Sequence, residues 1–452
     1  LDIRDFSAVT DQFGTMIWYP GAPSWENNPY WNSKYNLNQD VRDRFILTGS
    51  VKYAFTNWLD AELKAGGDFY TTSTNRKVYA GSKRANEYNE GKETFMETNY
   101  SALVSARKDN LFGRVGGNVM VGGNLMHRKY TSLSVGTGPL EVPNLFSLNN
   151  GVGAPSIGQG YSRKKINSLY GSVGVNYDGW IYLDATWRND WSSALSEDNR
   201  SYYYPSVSLS YILTEMLSKR GASTPDWFNY AKFRAAYASA GNDLDPHQLY
   251  NGYGIGKDPL SNTIAYRDAI LKNPDIESEL MKSLEFGAEL RLFRNRVGID
   301  FTWYKTNATN QIIRLPMDPM SGYTHRIINA GDIQNKGFEL VADVRILSNP
   351  RSIGWSMTAN FSKNENKIID IASDLDVKSY GLGEFDDLFI RAVAGSLYGD
   401  IYGTRFLRVK DESSPYFGQL LLDGNGLPQR DAEIVHLGNQ QAKSLIGVTN
   451  TF

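Results

Sequence analysis

The chain has no cysteine, only four histidines in 452 residues, and almost no excess charge. Without cysteine there is no disulfide scaffold and no Cys-ligated zinc or iron–sulfur site. With 47 basic against 49 acidic side chains, the balance argues against a general nucleic-acid binder, which carries a basic surplus. Long apolar runs are missing too. Mean hydropathy is −0.43, and the lack of any stretch near the length of a spanning helix excludes a helical membrane protein. The chain opens on neither Met nor a basic n-region, so a processed chain or a fragment is expected.

Aromatics and glycine are plentiful: 20 Phe, 28 Tyr, 10 Trp and 42 Gly. That aromatic content opposes disorder. Helical periodicity is nearly absent, the best piece being a short amphipathic one around residues 213–217. Many strands joined by Gly-rich turns are expected.

Period-two alternation, the strand signal, is cleanest at 45–55, 59–69, 181–187, 284–292, 297–303, 338–346 and 355–361. One row in each segment carries no charge and no Ser, Thr, Asn or Gln, as in Phe45, Leu47, Val51, Tyr53 or Leu284, Phe286, Ala288, Leu290. The intervening row is rich in charge, with Arg44, Asp60, Asp68, Arg188, Asp190, Glu285, Glu289, Arg291, Asp300 and Asp343 among its members. One face of each strand tolerates hydrocarbon only. The other is wet.

A soluble sandwich and a transmembrane barrel both produce such strands. Connection length separates them. Links at 55–58, 108–112, 177–180, 294–296 and 348–354 are short; those at 68–92, 127–164, 191–202, 241–282, 307–335 and after 363 are long, with 214–230 an intermediate exception. Outer-membrane barrels alternate in this way because tight turns face the periplasm and long loops the exterior. Aromatics near strand ends, such as Trp58, Tyr177, Trp180 and Trp355, suit interfacial girdles. The expected fold is an all-β antiparallel transmembrane β-barrel. Residues 1–39 are read as an extracellular entry segment, 40–364 as barrel strands with long outer loops, and 365–452 as a long loop plus further strands, ending before the barrel closes. About twelve strands precede Lys363 and one or two follow, each needing roughly ten residues to span a bilayer. A dense mixed-sign inner face suits a wide barrel that holds a polar plug or passes a hydrophilic solute.

Several motifs together resemble the SusC/RagA family of TonB-dependent outer-membrane transporters. They are Asn28-Pro29-Tyr30-Trp31, "VPNLFSLNNG" (142–151), "YLDATWRNDWSSAL" (182–195), "YYYPSVSLSYIL" (202–213), "KFRAAYASAGN" (232–242), "NPDIESELMKSLEFGAEL" (273–290), "NAGDIQNKGFEL" (329–340) and "WSMTANFSKNENKI" (355–368). The resemblance implies a barrel of about 22 strands around an N-terminal plug, the plug lying outside this chain. It also implies an outer-membrane location, import driven through TonB, a SusD-like lipoprotein lid, and oligosaccharide or peptide cargo. A passive porin or structural barrel is the alternative. Outer-membrane lipid is an expected partner, nucleic acid is not, and no cofactor is expected. Cargo-contact candidates are Trp31, Arg188, Asp190, Trp191, Tyr253 and Tyr323: aromatic faces for sugar rings or peptide side chains, and polar groups of the wet row.

Catalytic patterns are weak. His127, His247, His325 and His436 are far apart, fall in expected loops, and show no metal-ligand spacing. "GYGIGK" (252–257) lacks the spacing and context of a phosphate loop and reads as a flexible outer loop. "DGNGLPQRD" (423–431) places Leu427 where a calcium loop needs an oxygen, and reads as a turn. A transporter, not an enzyme, is expected.

Overall fold

The structure is a computed structural model that describes all residues except 1, 24, 261, 348–352, 373, 374, 376, 378, 386 and 387. Residues 348–352 of the expected short link therefore lie outside the described residues. The strands in chain order are β1 (Gln39–Ala54), β2 (Leu59–Val78), β3 (Glu87–Phe112), β4 (Val115–Pro139), β5 (Ser156–Tyr177), β6 (Ile181–Ser192), β7 (Ser201–Ile212), β8 (Phe228–Asn242), β9 (Tyr253–Lys257) and β10 (Thr263–Arg267). They continue with β11 (Ile270–Leu271), β12 (Glu279–Leu292), β13 (Val297–Pro316), β14 (His325–Leu347), β15 (Trp355–Asp370), β16 (Ser379–Phe385), β17 (Leu388–Val393), β18 (Asp400–Gly403), β19 (Val435–Asn439) and β20 (Leu445–Thr451). Two short helices are α1 (Pro29–Lys34) and α2 (Leu213–Lys219).

Among the described residues one large sheet runs β1 through β8 in order, then β12, β13, β14, β15 and β20, with β11 added beside β14. The pairings β6–β7, β7–β8, β8–β12, β12–β13, β13–β14, β14–β15 and β15–β20 are all antiparallel. A β9–β10 hairpin and a four-stranded β16–β19 sheet stand apart from it. The strands off this path lie in the expected long links at 241–282 and after 363, whereas β2 to β5, β13 and β14 extend into the links expected at 68–92, 127–164 and 307–335, which shorten to 79–86, 140–155 and 317–324. The intermediate link at 214–230 holds α2, a helix inserted at the rim that otherwise carries tight turns.

The chain divides into two compact units. The first is Leu1–Tyr53, Ala61–Leu103 and Gly123–Asn167. In it, Phe45, Val51 and Leu63 remain 66%, 72% and 64% exposed, while Arg44 meets Asp68 at 2.7 Å on the opposite row. The second is Ala54–Asp60, Val104–Gly122 and Ser168–Phe452. There Leu183 and Phe286 are each 48% exposed. An apolar row standing open on a single sheet is the arrangement of a lipid-facing wall, since a sandwich would seal it in a core. Neighbouring strands are stitched on this row by rings: Phe286 against Trp303 (5.8 Å), and Phe338 between Phe301 (6.1 Å) and Phe361 (5.6 Å).

Buried apolar residues collect instead where the long loops meet the ends of the strands. Ala194, Leu195, Leu244, Leu249, Ile276 and Ile327 form one dry cluster, and Ile368, Ile371, Ala372 and Ala392 another. Three histidines expected in loops sit in strands: His127 in β4, His325 at the start of β14, and His436 in β19. "GYGIGK", expected as a flexible loop, contains β9. Gly254 and Gly256 lie where the Tyr266 ring of β10 packs, and a Cβ at Gly254 would collide with that ring. The DGNG segment is a turn in which Asp423 Oδ1 accepts from the N–H groups of Asn425 (2.9 Å) and Leu427 (2.8 Å).

Candidate functional site

The charged row of the second unit is a lattice of ion pairs lying along the wall. Arg234 of β8 reaches across β12 to Asp300 of β13 at 2.6 Å and also donates to Thr302. Arg291 of β12 bridges Glu289 (3.2 Å) and Asp343 of β14 (3.0 Å). This charged row therefore pairs Arg234 and Arg291 with acids on neighbouring strands, as a water-lined wall needs.

Arg188 and Asp190 join this lattice near the long-loop rim. Arg188 Nε donates to Asp190 Oδ1 at 2.9 Å, its Nη2 donates to Ser168 Oγ at 2.9 Å, and its guanidinium lies 5.6 Å from the Tyr170 ring. Asp190 is only 5% exposed and also accepts from the Tyr204 hydroxyl. Tyr202 stacks beside Tyr204 at 6.0 Å. Ser192 donates to Asp243, which ties the end of β6 to the loop after β8.

Trp191 is separated from this pair. Alternation along β6 puts it on the same row as Leu183 and Trp187, opposite Arg188 and Asp190. Trp31, expected to contact cargo, is 2% exposed on α1. Its Nε1 donates to Ser82 Oγ at 2.8 Å and its ring packs 4.4 Å from Tyr35. The Asn-Pro-Tyr-Trp motif is thus a loop-folding device. Asn28 caps α1 by accepting from Tyr30 N–H (2.9 Å), while its amide donates to the carbonyls of Phe6 and Ile17. Asn150 of the "VPNLFSLNNG" stretch plays the same part, exchanging hydrogen bonds with the backbone of Val142.

Arg267, which was not among the candidates, joins the strand of Tyr253 to the loop of Tyr323. Arg267 is the cross-strand partner of Tyr253 in the β9–β10 hairpin. Its guanidinium sits 4.2 Å from the Tyr323 ring and donates to Gly322 O at 2.6 Å. Tyr253 itself is 78% exposed. Asp258 closes the hairpin turn by accepting from the side chain of Asn262 and from the N–H groups of Asn262 and Leu260. These donors, the Asn262 amide first, hold its carboxyl below the usual carboxylate range. The signal for Arg267 lay in the alternation of "TIAYR", five residues inside a long polar stretch.

Comparison with known proteins decides the family. The family described as TonB dependent receptor-like, beta-barrel matches residues 2–408. The chain belongs to this family. It lies in the outer membrane, as a β-barrel. TonB-dependent receptor P26 of Formosa agariphila is 24% identical over 390 residues, 83% of this chain and 38% of the relative. TonB-dependent receptor P3 of the same organism is 28% identical over 234 residues, 50% and 22% respectively. Among solved structures, the RagAB peptide importer in its closed-closed state superposes with a TM-score of 0.78 at 16% identity, covering 98% of this chain and 50% of that one. The fold and the SusC/RagA likeness read from the motifs agree with these matches. This family member spans about half the length of the solved structures it resembles and less than half of the curated relatives.

Proposed function

We propose that this chain forms the wall and outer loops of a transporter that imports a peptide or oligosaccharide across the outer membrane, energised through TonB. A SusD-like lipoprotein closes its outer mouth. The observation that supports this most is the inner wall, where charge is paired strand to strand and leaves a wet, polar surface for a hydrophilic solute. Peptide is favoured by the fold-level likeness to the RagAB peptide importer; oligosaccharide is suited by aromatic side chains on the loops.

Cargo meets Tyr253, Arg267 and Tyr323 at the rim first, where a cation held against a ring presents both a charge and a flat apolar face. Arg188, held in place by Asp190 and still half-exposed, takes over on the wall. The test is uptake of labelled oligopeptides and oligosaccharides by cells expressing the full-length protein, with and without TonB. Uptake should vanish without TonB. Undiminished uptake in its absence would point to a passive channel instead. In the TonB-positive cells, Tyr253→Ala with Arg267→Ala should weaken apparent cargo affinity about tenfold, the equivalent of roughly 1.4 kcal/mol. Unchanged affinity would remove the rim residues from the cargo path.

A further inference from the structure

The outer wall of the first unit changes character above its apolar row. Alternation in β4 puts Leu125, His127, Lys129, Thr131 and Leu133 on one face. The register to β5 follows from Ser132 facing Gly160, Ser134 facing Gly158, and Arg163 Nε donating to His127 Nε2 at 2.9 Å. It sets Lys129 opposite Arg163 and His127 opposite Lys165. On the other side, Arg128 pairs with Glu97 at 3.0 Å, which sets Leu125 opposite Tyr100 of β3. Leu125 and Tyr100 are exposed, and they belong to the lipid-facing row. The next step along the strands toward the long 140–155 loop is abruptly basic.

The cluster is compact. Around His127 stand the cations Arg163, Lys165 and Lys129. Lys129, Arg163 and Lys165 are exposed. One step further out, Lys92, Thr94, Thr131, Gln159 and Tyr161, with the apolar Leu133, line a recess of about 420 Å³. On this face of β3 the acid Glu90 lies nearer the loop, accepting from the Tyr88 hydroxyl at 2.8 Å. A run from hydrocarbon to cations to hydroxyl and amide groups, read outward along one wall, mirrors a lipid. Acyl chains come first, then phosphate, then sugar.

We propose that Lys129, Arg163 and Lys165, with His127 between them, bind the phosphate of a phosphorylated glycolipid of the outer leaflet, and that the adjoining recess receives its sugar. Arginine suits this role because its planar fork matches phosphate oxygens, and lysine adds point charge. The basis is the continuity of the cluster with the lipid-facing row and its single sign. The site stands on the outside of the wall, so it is independent of the cargo path.

The experiment uses the full-length protein in phosphatidylcholine nanodiscs doped with bis-phosphorylated lipid A, with co-retained lipid counted by native mass spectrometry. The wild type should retain lipid A, and the K129Q/R163Q/K165Q variant should lose retention by about tenfold, or roughly 1.4 kcal/mol. The charge-keeping K129R/R163K/K165R variant should hold it, and heat-modifiable migration identifies folded barrels for the comparison. Lipid A stripped of its phosphates should bind the wild type no better than it binds the neutralised variant. Equal retention by wild type and neutralised variant would overturn the proposal, as would displacement of the lipid by millimolar inorganic phosphate. So would charge-dependent capture of an acidic protein in discs free of lipid A, which would make the patch a protein interface.

Discussion

Arg234 shows how a single side chain is fitted to the inner wall. To reach Asp300 it must cross the middle of β12, and it does so over Gly287, where any Cβ would collide with the guanidinium. Gly287→Val should lift Arg234 off Asp300 and Thr302 while leaving the lipid-facing row intact. In a double-mutant cycle, an Arg234→Ala/Asp300→Ala coupling energy that is the same with and without Gly287→Val would refute that coupling. The neighbouring positions Phe301 and Thr302 test the sidedness of the strand. Phe301→Arg puts a charge into hydrocarbon and should destabilise the barrel by roughly 2–4 kcal/mol near the bilayer midplane, whereas Thr302→Arg faces water and should cost little. Refolding titrations of the full-length protein into lipid vesicles measure both, and equal costs would contradict the assigned faces.

Strands and loops of this chain are stabilised by different means. The long strands gain their backbone hydrogen bonds from neighbours and offer their apolar rows to lipid, so they need little internal core. The long loops have no lipid to use, and they bury Ile276 completely among Leu195, Leu244, Leu249 and Ile327. Asn329 then clamps them, accepting from Glu277 N–H at 2.8 Å and donating to Glu277 O at 3.0 Å. Ile276→Ala should cost about 2–5 kcal/mol of local loop stability without unfolding the wall. Hydrogen exchange should rise across 243–278 and stay low in β12 to β14; a uniform rise would mean that loops and wall unfold as one. The strand segments of the wall were legible because alternation persists over ten or more residues. The β9–β10 hairpin and the β16–β19 sheet were not, because strands of about five residues interrupted by glycine fall below the length at which periodicity separates from chance.

For the molecule as a whole, location follows from one surface. A photoactivatable apolar probe dissolved in the bilayer should label the row of Phe45, Leu63, Phe286 and Phe301 and spare that of Asp68, Arg234, Asp300 and Arg291. Labelling of both rows alike would exclude a lipid-facing wall. Three of the four histidines lie in strands and the DGNG segment is a turn closed by Asp423. Among the six cargo-contact candidates, Trp31 is consumed by packing, which sequence position does not reveal, and Trp191 lies on the apolar row, where the alternation of β6 already puts it.

Fold class, membrane sidedness and the alternation of tight and long links were set by local chemistry. A two-residue period and runs of Gly and polar residues act over a few residues and can be read in one dimension. Register decided the rest. Arg234 and Asp300 are 66 positions apart, and Arg163 and His127 are 36 apart. Whether such groups meet depends on how strands slide past one another before their hydrogen bonds lock, and a shift of one residue sends every side chain to the other face. The ion lattice, the Tyr253–Arg267–Tyr323 cluster and the basic patch on the outer wall therefore exist only in three dimensions.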